Sequence, residues 1–303
     1  MYFVVNFINI MKIKILIFFL FLLSCTNKKF LIDLADWKAK RIDALFAENG
    51  YLNLAGLFSI QSGSYSIGSS TTNDFIFPSE FPSEFAKVNI QDSIISFFYT
   101  VDVTYNDSIQ TRNISFNIYD ESVVFSWKSF QWFIHNDPGV MAIRLRNLNH
   151  PMLKNTLTIN FFPPSEHMVI KGKFIKYNTP KIRQSINIIG SKFEEHIPGM
   201  INFKIMNKNF SLEPTISPSG KFFIVFGDQT TGKETYGGGR FLYVNPPDDN
   251  GNVILNFNKA YNPPCVFSSF TTCPLPTPFN LLSVRINAGE KMYEGKSYSS
   301  IYE

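Results

Sequence analysis

Residues able to do chemistry concentrate near the C-terminus. Lys233, Glu234, Thr235, Tyr236 and Arg240 surround three consecutive glycines at 237–239. Asn256, Asn258, Lys259, Tyr261 and Asn262 then precede Pro263-Pro264-Cys265. Glycine lets backbone approach a ligand closely, and arginine or lysine beside it suits a carboxylate or phosphate. The candidate ligand-binding residues are therefore Lys233, Glu234, Tyr236, Arg240, Asn258, Lys259, Tyr261 and Asn262. Two functions use them. One is a binding or structural module gripping a small polar or anionic ligand. The other is a hydrolase-like enzyme with Glu234, Tyr236 or Lys259 as acid or base. The bland alternative is that the glycines make tight turns and the charged groups pair structurally. A deep pocket where the groups converge would favour a site; scatter would favour structure.

Other motifs exclude more than they assign. The segment 227–233 fits G-x-x-x-x-G-K, but a P-loop needs Ser or Thr next and a helix start. Here Glu234 follows, whose charge would repel phosphate, and then the glycines. No nucleotide is expected. Gly68, Asn73 and Asp74 faintly resemble the early part of forkhead-associated domains. Ser69 stands where those have Arg, so the resemblance implies a related sandwich without phosphopeptide binding. There is no G-x-S-x-G and no H-E-x-x-H. His135, His150, His167 and His196 are far apart in sequence, and each reads as a surface or core residue. No cofactor and no metal is expected.

The N-terminus reads as an address. Lys12 and Lys14 precede an unbroken apolar run at 15–23, and Leu22-Leu23-Ser24-Cys25 resembles the bacterial lipobox. Nine apolar residues are too few for a span, which needs about 20. A longer span from Met1 would bury both lysines, at roughly 2.5–3.5 kcal/mol each near its centre. The expectation is a signal peptide over 1–24, starting at Met11, then lipidation of Cys25 and a tether over 25–30. The partner is then a membrane, reached through lipid on Cys25, in the cell envelope. Thr26 stands where Asp would signal inner-membrane retention, which favours the outer membrane. Losing Lys12 and Lys14 takes the formal charge from +4 to +2, which calls for no nucleic acid. Cys265 and Cys273 remain as an even pair in an exported chain, so a disulfide is expected, worth about 2–3 kcal/mol. Free buried thiols and a metal site are its rivals.

The elements that must position these groups are β-rich. Aromatic content is 16%, with 32 Phe, 17 Gly and 17 Pro scattered along the chain. One amphipathic helix is predicted over 31–50, with Leu31, Leu34, Ile42, Leu45 and Phe46 at helical spacing and Gly50 as its stop. Short strands are predicted from 52 to 286, including 157–162 and 283–286. They imply an all-β sandwich or barrel-like body, read as halves over 51–180 and 181–303. Strands at 240–244 and 253–257, flanking Pro246-Pro247 and Asn250-Gly251, predict a hairpin.

The C-terminal half also resembles a known family. YGGGRFLYV followed by LNFNKAYNPPCVFSSFTTCPLPTPFNLLSVRINAGEK is similar to the signature of the uncharacterised domain-of-unknown-function family 1684. YLNLAGLFSI, Gly68, Asn73, Asp74 and the central IRLRN resemble its other landmarks, and the likeness spans about residues 35–291. Members usually show Asp-Phe-Asn-Arg where this chain has Asn256-Phe257-Asn258-Lys259, and Asp where Asn147 stands. An Asp–Arg pair in the family site would be altered here. The resemblance implies a fold and a candidate surface, with no activity attached.

Overall fold

The structure is a computed structural model that describes residues 28–137 and 139–295. The proposed leader and Cys25 lie outside the described residues. The chain is all-β with one N-terminal helix, as its composition and turn spacing predict. The helix, α1, covers 28–46. It starts within the expected tether, since Lys28, Lys29 and Phe30 are already helical, and it ends before 50. Its buried stripe is Leu34 and Leu45, with Ile42 and Phe46 packed alongside, whereas Leu31 is exposed. Gly50 follows in a turn, donating to Ala47 O at 2.7 Å. A side chain there would overlap the carbonyls of Leu45, Ala47 and Ala44, so close approach is what demands glycine. Among the described residues no helix is long and apolar enough to cross a membrane.

Nine strands form the first sheet: β1 (Leu54–Ser59), β2 (Gly63–Gly68), β3 (Phe75–Ile76), β4 (Ala86–Gln91), β5 (Ile94–Tyr105), β6 (Ile109–Asn117), β7 (Val124–Trp127), β8 (Phe130–Asp137) and β9 (Val140–Asn147). The order is β1-β9-β8-β7-β5-β4-β2-β3, with β6 added on β5. The sheet curls toward a barrel, bringing Phe58 of β1 onto Phe75 beside β2, ring centres 5.5 Å apart. Its interior is aromatic, with Phe85, Phe97, Phe125, Phe130 and Trp132 fully buried. Asn73 and Asp74, landmarks of the sequence, hold turns here: Asn73 Nδ2 donates to Ser83 O, and Asp74 accepts from Ser66 N and Oγ.

The second half stacks two sheets over another core. Strands β10 (Val169–Ile186), β11 (Lys192–Ile205) and β12 (Lys208–Leu212) are followed by β13 (Thr215–Ile216), β14 (Phe222–Phe226), β15 (Arg240–Val244) and β16 (Asn252–Asn256). One sheet runs β12-β11-β10-β16 and the other β13-β14-β15. Ile201, Phe203 and Leu255 of the first face Ile224, Phe226 and Leu242 of the second. Strand β10 runs on through residues 180 and 181, and the change of sheet falls between Asn147 and Val169.

Three local expectations differ from this arrangement. Strands β15 and β16 do not make a hairpin: β15 pairs with β14 and β16 with β10. The connection through Pro246 and Pro247, which lack donors, carries the chain across the core from one sheet to the other. The 157–162 segment makes one bridge, Phe161 to Glu290, instead of a strand. The 283–286 segment is irregular, with Val284 O accepting from Gln229 N. Both segments satisfy their polar groups on loops, so no ladder forms.

Candidate functional site

The C-terminal cluster separates into three environments. Arg240 is 1% exposed. Its Nη2 meets Asp228 Oδ2 at 2.6 Å, and its other bonds go to the carbonyls of Ile286, Ala288 and Glu290. Asn258 is also buried; it accepts from Ser165 N and donates to Ser165 O, both at 2.8 Å. Asn262 donates its backbone N–H to Glu290 and its amide to Lys291 O. Glu290, buried and raised by desolvation, is paired with Arg41 of α1 at 3.1 Å. These groups are consumed structurally: Arg240 ties Asp228 to the 286–290 segment, Asn258 holds the loop at Ser165, and Glu290 and Asn262 meet Arg41 of α1. Lys233 is exposed, Glu234 pairs with Arg285 at the surface, and Lys259 is half-buried. Tyr261 lies under the Arg41 guanidinium, 4.6 Å from its ring centre. Burial raises its hydroxyl well above the ordinary range. The last of the triple glycines, Gly239, has φ +82, and a side chain there would overlap Pro276 and the Phe226 carbonyl. The turn requires glycine; the ligand reading is not needed to explain it. The 227–233 segment folds as turns with no helix after it.

Cys265 and Cys273 are neighbours but both are free thiols, which corrects the expected disulfide. Their contact is a hydrogen bond: Cys273 Sγ accepts from Cys265 N at 3.1 Å. Tyr236 Oη accepts from Cys265 Sγ at 3.7 Å and is pushed up by burial. A second bond, between the two thiols, lowers Cys265 and raises Cys273, while the bond from Cys265 N acts the other way on Cys273.

A cavity does form next to this pair, and its charged residues come from the first sheet. Antiparallel register sets Phe133 opposite Arg144, His135 opposite Ala142 and Asp137 opposite Val140. Side chains of a strand alternate between faces. Trp132, Ile134, Ile143 and Leu145 point into the barrel. His135, Asp137, Arg144 and Arg146 therefore project from its outer face, toward α1 and the C-terminal loops. There a cavity of about 120 Å³ is lined by Tyr51, Asp137, Arg144, Phe241, Thr272 and Cys273, among others. Asp137 Oδ2 receives Thr272 Oγ1 at 2.6 Å and His135 Nε2 at 2.8 Å. Burial pushes its carboxyl up, but these bonds and the charges of His135 and Arg144 outweigh it and hold the group below its ordinary value.

The two arginines of β9 differ in one respect. Arg146 spends its nitrogens on Gly50 O, Asn53 Oδ1 and Asn49 O, closing the end of α1. Arg144 is 7% exposed, and its Nε is buried with no hydrogen-bond partner. Among the described residues no carboxylate reaches ion-pair distance of it; Asp137 acts on it only through space. Burial lowers its proton affinity, yet a guanidinium stays charged in a protein. Burying a cation without a directly bonded carboxylate costs free energy, and an anion would relieve it. The alternating Ile143-Arg144-Leu145-Arg146 pattern carries the signal for this face. His135, Asp137 and Thr272 carry none on their own.

A family match agrees with the C-terminal reading. Residues 156–291 match the model of the family described as Protein of unknown function (DUF1684). Among curated proteins, none matches the chain. A solved structure is similar to part of it, the solution NMR structure of an uncharacterized protein of Haloarcula marismortui. Identity is 26% over 44% of this chain and 75% of that one, with a TM-score of 0.37. Over residues 156–291, then, this chain is similar to the DUF1684 family of proteins of unknown function.

Proposed function

We propose that this protein is a binding protein for a small carboxylate-bearing ligand, held in the cavity by Arg144. The observation that carries the reading is a mostly buried arginine facing that space, whose Nε has no hydrogen-bond partner and which no carboxylate reaches at ion-pair distance among the described residues. A planar guanidinium offers a carboxylate two parallel N–H bonds. The Thr271 and Thr272 walls can supply polar contacts beside it. Binding is favoured over hydrolysis by the geometry around His135. Its Nε2 lies 3.4 Å from the Thr272 hydroxyl, but both groups bond the same Asp137 oxygen, at 2.8 and 2.6 Å, so the hydroxyl proton is directed at the carboxylate and not at His135. The Glu234, Tyr236, Arg240 and Lys259 set does not line this cavity.

Arg144→Gln keeps polarity and most of the volume while removing the charge. Titration calorimetry with acetate is expected to show affinity falling roughly 10–100-fold, the loss of one charge-assisted pair. The surface variant Arg285→Gln should bind as the parent does. Equal acetate affinity in Arg144→Gln, with an unchanged circular dichroism spectrum, would remove the proposal.

We also propose that the mature protein sits in the cell envelope, held by lipid on Cys25, with the outer membrane favoured. The 15–25 sequence supports this reading, and more than one acyl chain gives firm attachment. Intact-mass and peptide analysis of protein from the native host should find Cys25 as an N-terminal residue carrying more than one acyl chain. An unmodified peptide running through Cys25 would exclude it.

A further inference from the structure

The small cavity at Arg144 has a larger neighbour. A cleft of about 470 Å³ opens between β11, β13 and the 272–274 loop, and it shares Asp137, Thr272 and Pro274 with the Arg144 cavity. Its apolar walls are Pro180, Phe193, Pro198, Ile216, Phe223 and Pro274. Two of these are exposed to a degree unusual for their type: Ile216 is 59% exposed, and Phe193 is only half-buried. The volume is that of a ligand pocket, whereas 120 Å³ accommodates only a head group.

Charge placement restricts the head group. Asp137 is ionised beside Arg144, so a bound dianion would set its second charge against a carboxylate. In the larger cleft, Glu195 is occupied by Arg183 at 3.2 Å and Ser185 at 2.5 Å, and Glu194 by Gln184 at 2.8 Å. These carboxylates leave the cleft unsuited to further negative charge. Apart from His196 and Thr215, its remaining surface is apolar and of the right size for a ring or a medium acyl chain.

We propose that the ligand is a monocarboxylate with an apolar body, its carboxylate on Arg144 and its body in the cleft walled by Ile216 and Phe223. This rests on the Arg144 reading and extends it to a ligand class. The discrimination follows from two terms. Arg144 supplies the charge pair for any carboxylate, and the cleft adds roughly fourfold in affinity for each methylene buried until its volume is filled.

Titration calorimetry of the full chain with acetate, butanoate, hexanoate, octanoate and inorganic phosphate separates the terms. Affinity is expected to rise along the carboxylates and then level off, with an increasingly negative heat-capacity change as apolar surface is buried. Ile216→Asp, at an exposed position that carries no core packing, should cut hexanoate affinity at least fivefold and leave acetate unchanged. Arg144→Gln should weaken both. If acetate binds through Arg144 but hexanoate is no tighter, the cleft is not the body site and this inference falls while the Arg144 reading stands. If hexanoate binds Arg144→Gln as well as the parent, the head-group assignment falls. Phosphate binding tighter than acetate overturns the monocarboxylate class. If no carboxylate binds, both proposals fail together.

Discussion

Asp228→Ala is expected to destabilise the protein by about 3–5 kcal/mol, the range for stranding one partner of a buried ion pair. Arg240 and Asp228 meet at 2.6 Å, with side chains 1% and 0% exposed. Removing the carboxylate leaves Arg240 among three carbonyls with its charge uncompensated, and leaves Thr230 N without the acceptor it now reaches at 2.6 Å. Such a loss is a large fraction of an ordinary domain's 5–15 kcal/mol. It should appear as a lower urea midpoint at unchanged slope. Exchanging both partners, Asp228→Ala with Arg240→Met, should recover much of it, because an apolar pair of similar volume carries no desolvation cost. Glu234→Ala gives the contrast. Its Arg285 partner is 43% exposed, and a surface pair is worth at most about 1 kcal/mol. An Asp228→Ala midpoint no lower than that of Glu234→Ala would mean the buried pair does not hold the 228–240 segment in place.

That contrast also explains what the sequence disclosed. Arg240, Asn258 and Asn262 stand out because glycine, arginine and asparagine together occur both at sites and at buried structural junctions. Burial decides between the two, and residue type does not encode it. Period and turn chemistry are local, so the strands of the first sheet, α1 and the barrel-like body were legible. The IRLRN alternation even marks the two faces of β9. What is not local is which face meets which loop. Thr272 reaches Asp137 from 135 positions away in sequence, and no spacing rule anticipates that. The same limit hid the crossing from β15 to β16: Pro246-Pro247 and Asn250-Gly251 specify a reversal, but not the sheet that receives the returning strand. The cysteines behave likewise. Eight positions apart, they come together, but with a hydrogen bond between a backbone amide and a sulfur where a covalent bond was expected.

Trp132→Ala is expected to cost at least about 4 kcal/mol, from a cavity and an orphaned hydroxyl together. Trp132 is fully buried in the barrel. It stacks on Phe125 at 5.8 Å and meets Phe85 edge-on at 5.5 Å. Its indole N–H donates to Tyr99 Oη at 3.1 Å, inside a region where burial alone pushes that hydroxyl well up. Trp132→Phe refills most of the volume but still strands Tyr99, so about 1–3 kcal/mol should be lost. Adding Tyr99→Phe removes the stranded group, and the double variant should cost less than the sum of the two singles. Denaturant unfolding of the parent and these four variants measures all of this. Equal losses in Trp132→Ala and Trp132→Phe would mean that the hydrogen bond, and not the ring packing, dominates. The consequence reaches the outer face of the same strand. Trp132 is directly followed by Phe133, which pairs with Arg144 across β8 and β9. A packed interior keeps that pair of strands in place, and a loosened one should weaken acetate binding at Arg144 although no cavity residue has changed.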